Sequence, residues 1–215
     1  MTLGAKKEGT TTTVGFRAPM TEPRTNPRGR RPATDQAAIE RAAFTLFDER
    51  GFDRTTLEEI ADAVGVGRRT LFRYFPSKND IPWGQFDENL RKFRSRLDTM
   101  PSEMPVHEAV HRCVVAFNDF DPAEMPQHRL RMRLILDTPA LQAHSTIRYA
   151  AWRHVIQGYV AKRLGTSPDD LLPRIAGHVS LALSISAYEQ WLAQPESRLT
   201  SILNDAMVDL RSYLG

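Results

Sequence analysis

A chain of 215 residues, 41% of them hydrophobic, can bury the core of one larger domain or of a small domain plus a medium one. Its formal charge of +3 does not by itself announce a nucleic-acid binder, so such a role would have to come from how the charge is segregated. One cysteine, Cys113, excludes an intramolecular disulfide and fits a reducing cytoplasm, while no apolar run reaches membrane-spanning length and no hydrophobic signal core points to export.

Residues 1–33 are rich in Thr, Gly, Pro and Arg with almost no apolar periodicity, which predicts a disordered arm. The arm ends in Arg28-Gly29-Arg30-Arg31-Pro32. A flexible basic arm beside a DNA-reading helix can enter the neighbouring minor groove, so Arg30 and Arg31 are candidate contacts. Thr34 is the expected N-cap of the first helix, with Asp35 complementing the dipole in its first turn. Ile39, Ala42, Ala43, Leu46 and Phe47 form its apolar stripe, and Gly51 suits the C′ position.

Residues 55–78 predict two short helices around a glycine turn. Thr56 and Glu59 make a capping box, and Leu57, Ile60, Ala61 and Val64 recur at helical spacing. Gly65 supplies the positive φ that a tight turn needs, and Val66 can plug the gap between the helices. The second helix, about Arg68 to Tyr74, turns Leu71 and Phe75 to the core and Arg69 and Arg73 elsewhere. From Gly67 to Lys78 inclusive stand four cations (Arg68, Arg69, Arg73 and Lys78) and no acid. A short helix apolar on one side and basic on the other matches what a DNA major groove requires.

At these residues the chain resembles the TetR family of transcriptional regulators. Thr55-Thr56, Ile60-Ala61, Gly65-Val66 and Thr70-Leu71-Phe72-Arg73-Tyr74-Phe75-Pro76-Ser77-Lys78 follow its helix-turn-helix almost position by position. The resemblance implies that Arg68, Arg69, Thr70, Phe72 and Arg73 face base edges or flanking backbone, and that Thr56, Tyr74 and Lys78 hold phosphates. Gly67 replaces the family's frequent Ser or Thr cap, and Phe72 a commoner Tyr.

A connecting helix is expected to begin near Ser77 or Asp80 and run to about Leu97, with Pro82 in its first turn and Trp83 packed inside. Helices then follow over Val106–Phe117 and Glu124–Leu136, and from Thr138-Pro139 to Leu164-Gly165. Ser167-Pro168 is expected to open another, split at Pro173 with its body over Arg174–Ala193, and Ser197 to cap a last one to Leu214. No segment alternates like a strand, so the fold class is all-α with about nine helices. The domains are read as residues 1–33 (arm), 34–78 (helix-turn-helix) and 79–215 (ligand binding and dimerisation).

The last two long helices are apolar on more than one side, which implies a twin chain in a two-fold four-helix bundle. Val179, Ala182, Ile185, Leu203, Ala206 and Leu210 are the dimerisation candidates. Stretches such as Ile81-Pro82-Trp83-Gly84 and Pro139-Ala140-Leu141-Gln142-Ala143-His144 resemble regulators associated with mycofactocin biosynthesis. That resemblance implies a small-molecule effector, with long-chain acyl-CoA as the candidate. Phe117, Phe120, Met125, Trp152, Tyr159, Leu183 and Tyr188 are the candidate tunnel lining, with Arg131 and Arg133, beside Arg129, Arg148 and Arg153, in a basic cluster that could receive phosphates at its mouth. A multidrug effector is the alternative within the family.

His107-Glu108-Ala109-Val110-His111 matches HExxH, whose two imidazoles on one helix face can hold zinc beside an activating glutamate. The third ligand is lacking where a metzincin has one, since Val114 and Phe117 stand there. A metal sensor or zinc hydrolase is therefore the minor alternative; the reading is of a non-enzyme with no cofactor and no metal.

Overall fold

The computed structural model describes residues 35–215; Arg30, Arg31, Thr34 and the arm lie outside them. Among the described residues there are nine α-helices, one 3₁₀ segment and no strand. Helix α1 spans Gln36–Arg50 and is capped by Asp35, not Thr34, with the Asp35 carboxylate accepting from the Ala38 N–H at 2.7 Å. Helix α2 spans Leu57–Ala63 behind the expected capping box: Glu59 N–H donates to Thr56 Oγ1 at 3.2 Å, and Thr56 N–H to Glu59 Oε2 at 2.8 Å. Gly65 adopts φ 67°, and the chain enters helix α3, Arg68–Tyr74.

The expected connecting helix begins later than the sequence suggests. Lys78–Trp83 forms a 3₁₀ segment, started by Ser77 N–H donating to Asp80 Oδ2 at 3.0 Å, and helix α4 follows only at Phe86–Asp98. Pro82 cannot donate within an α-helical ladder, and the tighter 3₁₀ turn accommodates it. Helices α5 (Val106–Phe117), α6 (Met125–Asp137) and α7 (Pro139–Leu164) fall within a residue or so of expectation. Thr138 is at once the C-cap of α6 and the N-cap of α7.

Helix α8 is unbroken over Leu171–Ala193. Pro173 sits in its first turn, where its missing N–H would have had no helical partner, so it does not split the helix. Ser167 forms a local turn with Asp170 instead of opening α8. Helix α9, Leu199–Leu214, starts after Arg198 rather than Ser197; the Ser197 carbonyl accepts from the Trp191 indole at 3.2 Å.

Two apolar clusters organise these helices. The first joins Ile39, Ala43, Phe44, Phe47, Ile60, Leu71 and Phe75 of the three N-terminal helices, and it also takes in Ile81 and Leu141. Leu130 and Leu134 of α6 pack against it. The second holds Trp83, Phe93, Cys113, Met132, Ile135, Trp152, Ile156, Tyr188, Trp191 and Leu203. The 3₁₀ segment thus puts Ile81 in one cluster and Trp83 in the other. No helix among the described residues is long and apolar enough to cross a membrane.

Candidate DNA-binding surface and effector cavity

Helix α3 buries Leu71 completely and leaves Arg68, Arg69, Phe72 and Arg73 exposed. Thr70 and Tyr74 are half-buried beside them. Arg68 reaches Glu58 of α2 at 3.0 Å, an ion pair exposed enough to be worth at most about 1 kcal/mol, so phosphate can compete for it. Its guanidinium lies 5.3 Å from the Phe72 ring centroid. Arg69 has no ion-pair partner among the described residues. Gly67 gives α3 no side-chain cap, and a Cβ added there would meet nothing within 4 Å. Thr56 is exposed, but its hydroxyl is engaged with Glu59 in the capping box. Those contacts, from the Thr56 backbone first, hold the Glu59 carboxyl below the usual carboxylate range.

Lys78 revises expectation. Its ammonium donates to the carbonyls of Phe52 at 2.7 Å, Thr55 at 2.9 Å and Asp53 at 3.4 Å, and lies 4.4 Å from the Phe52 ring centroid. All three N–H groups thus serve the α1–α2 turn, and none is left pointing outward for a phosphate. Burial pushes this ammonium below its ordinary pKa.

A cavity of about 110 Å³ lies among the 3₁₀ segment, α4, α5, α6, α7 and α8. Of the expected ligand residues, Phe117, Phe120, Arg131, Trp152 and Tyr188 line it. Trp152 stacks on Phe93 with centroids 5.5 Å apart. The other four fall elsewhere. Met125 packs against the second core without lining the cavity, and Tyr159 is buried with its hydroxyl accepting from Arg163. Arg133 is exposed, and Leu183 lies on the opposite side of α8 in the groove with α9.

The expected basic mouth is not assembled. Arg129 stacks on Trp191 at 3.9 Å and donates to the Trp191 carbonyl at 2.7 Å, closing the end of α8. Arg148 pairs with Asp80 at 3.5 Å and Asp87 at 3.2 Å. Arg131 pairs with Glu40 of α1 at 3.3 Å, inside the protein. Sequence reasoning passed over Glu40 and Asn118, favoured packing over ligand contact for Trp83, and considered His128 only as a distant third metal ligand for the HExxH match; Trp83, Asn118 and His128 all line the cavity. Glu40 sits beside the α1 stripe and reads as solvated; only its distant partner on α6 explains its burial.

The dimerisation candidates also divide. Val179 is 37% exposed, Ala182 is exposed and Ala206 and Leu210 line the α8–α9 groove, with Ile175 at 45% extending the apolar face. Ile185, however, lines the cavity, and Leu203 is buried in the second core. At 100° per residue, Ile185 stands about 40° from Leu181 and about 60° from both Tyr188 and Ala182, at the edge of the inward face, and it is the cavity that it lines.

The HExxH match finds no third ligand. His111 Nε2 lies 2.8 Å from Asn204 Oδ1, joining α5 to α9, and Glu108 pairs with Arg112 at 2.5 Å. No group of three or more His, Cys, Asp or Glu that could hold a metal ion occurs among the described residues.

Comparison with known proteins agrees with this geometry. The family described as bacterial regulatory proteins, tetR family, matches residues 39–81, and the MftR C-terminal domain family matches residues 104–215. A Mycobacterium tuberculosis protein named as mycofactocin biosynthesis transcriptional regulator MftR is 43% identical over 178 residues, which cover 83% of this chain and 90% of that one. Among solved structures, the fatty acid degradation regulator FadR of Bacillus halodurans matches with a TM-score of 0.60 at 19% identity, over 80% of this chain and 95% of that one. Thermus thermophilus FadR, a TetR-family repressor in complex with lauroyl-CoA, matches with a TM-score of 0.53 at 21% identity, over 80% and 91%. These families are of regulators, not enzymes. The chain, with its exposed basic helix on a glycine turn and a helical C-terminal domain of the MftR type, belongs to the TetR family of bacterial transcriptional regulators.

Proposed function

We propose that the protein is an effector-released repressor that binds palindromic operators as a homodimer, with an acyl-CoA as effector and mycofactocin-related genes as targets. The observation that carries the effector reading is the placement of α6. His128, Arg131, Met132 and Ile135 of this helix line the cavity, while Leu130, Leu134 and the Arg131 ion pair hold α1. A ligand that moves α6 therefore moves the DNA-binding helices with it. The effector need only bind the released conformation better, each tenfold preference being worth about 1.4 kcal/mol.

The cavity's size supports coupling. An engineered cavity of about 150 Å³ holds one benzene, so at about 110 Å³ an acyl chain enters only if helices part. The lauroyl-CoA bound to Thermus thermophilus FadR motivates the choice of effector. The exposed apolar residues of α8 and α9 support the dimer, which would set two α3 helices roughly 34–36 Å apart on DNA. The test is release of a labelled duplex from the promoter beside the gene, titrated with acyl-CoAs of increasing length. Release should sharpen with length at about 0.8 kcal/mol per buried methylene and be absent with free coenzyme A. A response independent of chain length would discard the acyl-CoA reading.

A further inference from the structure

Among the described residues, three buried side-chain nitrogens have no hydrogen-bond partner: Trp83 Nε1, His128 Nδ1 and Arg131 Nε. All three belong to side chains lining the same cavity. Trp83 is 8% and His128 4% exposed, so water does not readily satisfy them. A buried polar group left unpaired is costly, and three of them on side chains that line one small cavity point to a ligand that pairs them once it enters.

Their donor and acceptor roles follow from the network behind them. Asn118 Nδ2 donates to the Val114 carbonyl at 2.8 Å, which fixes its Oδ1 as the acceptor on the other side. Tyr188 gives its only proton to that Oδ1 at 2.5 Å. His128 Nε2, 3.0 Å from the Tyr188 oxygen, must then carry the proton it donates. Nδ1 is left as a bare acceptor. Burial first, and Arg131 second, drives the His128 pKa down to about 3, so the ring is uncharged. Trp83 and Arg131 contribute N–H donors.

We propose that this corner of the cavity is built for an uncharged ligand group, offering a carbonyl oxygen to the N–H groups of Trp83 and Arg131 and an N–H or O–H to Nδ1 of His128. The proposal rests on the reading of this cavity as the effector site and names the polar group it takes, which in an acyl-CoA is a pantetheine amide or a hydroxyacyl group and not the thioester carbonyl alone. A free carboxylate fits poorly. Arg131 is already neutralised by Glu40, which is 1% exposed, so an anion that took Arg131 would strand a buried carboxylate. Nor can a carboxylate donate to Nδ1. Amides and hydroxy-substituted carbonyl compounds satisfy all three atoms.

The test is calorimetric titration of the full chain with octanamide, methyl octanoate and octanoate, which share an apolar tail. Octanamide should bind roughly five- to tenfold tighter than the ester, which leaves Nδ1 unpaired, and tighter still than octanoate. His128→Phe keeps the ring but removes the acceptor, so the amide-to-ester ratio should fall to near one. Trp83→Phe should weaken amide and ester by a common factor and leave their ratio intact, which tests the proposal even if the His128 variant fails to fold. Equal affinity for the three probes, tightest binding of octanoate, or binding of none overturns the proposal. None of these arms uses DNA. Tight octanamide binding without operator release would support the polar-group assignment and overturn the release reading instead.

Discussion

Arg131 of α6 and Glu40 of α1 meet at 3.3 Å between the cavity and the N-terminal three-helix unit. Gln36 donates to the other Glu40 oxygen at 3.3 Å and to the Gly84 carbonyl at 2.6 Å, so Glu40 ties α1 to α6 while its neighbour Gln36 ties α1 to the end of the 3₁₀ segment. A Cβ at Gly84 would come within 2.1 Å of Glu40 Oε1, so a side chain there would push Glu40 and Gln36 out of this arrangement. Burial pushes the Glu40 pKa up, with Arg131 opposing it. Removing one partner of a buried pair leaves an uncompensated charge at a cost of about 3–5 kcal/mol. Glu40→Ala should therefore lower urea-unfolding stability by about 3 kcal/mol, while Glu40→Met with Arg131→Met recovers most of the loss. The double variant should also release DNA poorly on effector binding; a fully responsive double variant would remove the pair from the signal.

His128 sets a pH dependence. Its pKa is depressed from 6.5 to about 3, so the folded state binds fewer protons than the unfolded state between those values. Stability is fully present above pH 6.5 and is lost as pH falls towards 3, on the order of a few kcal/mol. Thermal unfolding of His128→Phe across that window should show a shallower acid loss than the wild type.

On DNA, Arg69→Ala or Arg73→Ala should cost about 1–3 kcal/mol of operator affinity and relax sequence preference. Lys78→Ala should behave differently. It strips the partner from three backbone carbonyls, so stability should fall by about 1–3 kcal/mol while the salt slope of binding stays unchanged. A salt slope reduced by about one would return Lys78 to the phosphate contacts.

Assembly is checked on the outward face of α8. Val179→Glu with Ala182→Arg places charge there without touching the cavity, and the variant should sediment as a monomer that has lost operator binding but keeps its helical circular dichroism. Wild-type protein that sediments as a monomer at micromolar concentration would remove the two-fold reading.

Local signals were the legible ones. The Thr56–Glu59 box, the Gly65 turn and the Leu71–Phe75 spacing each act within a few residues, so the chain alone displays the helix-turn-helix. Pro82 and Pro173 misled because a proline reports a missing N–H, not which kind of helix tolerates it. Ile185 and Leu203 could not be told from outward-facing neighbours because α8 and α9 are apolar around much of their circumference. The cavity was half legible. Its aromatics are visible in the sequence, but Glu40, Asn118 and His128 gain their meaning from partners 60 to 91 residues away.

The single residue Thr138 has a mechanical consequence. Its N–H donates to the Leu134 carbonyl at 3.0 Å while its own carbonyl accepts from Gln142 at 2.9 Å, so α6 and α7 meet without a loop between them. A connector with no slack cannot absorb a twist. Torque applied to α6 at the cavity is therefore delivered at Leu141, three residues past the joint, which is wholly buried against the DNA-binding helices. Under the proposed release mechanism the two helices would work as a bent lever with its elbow at Thr138, and lengthening that elbow by a flexible Gly-Ser insertion would uncouple its arms without altering either one.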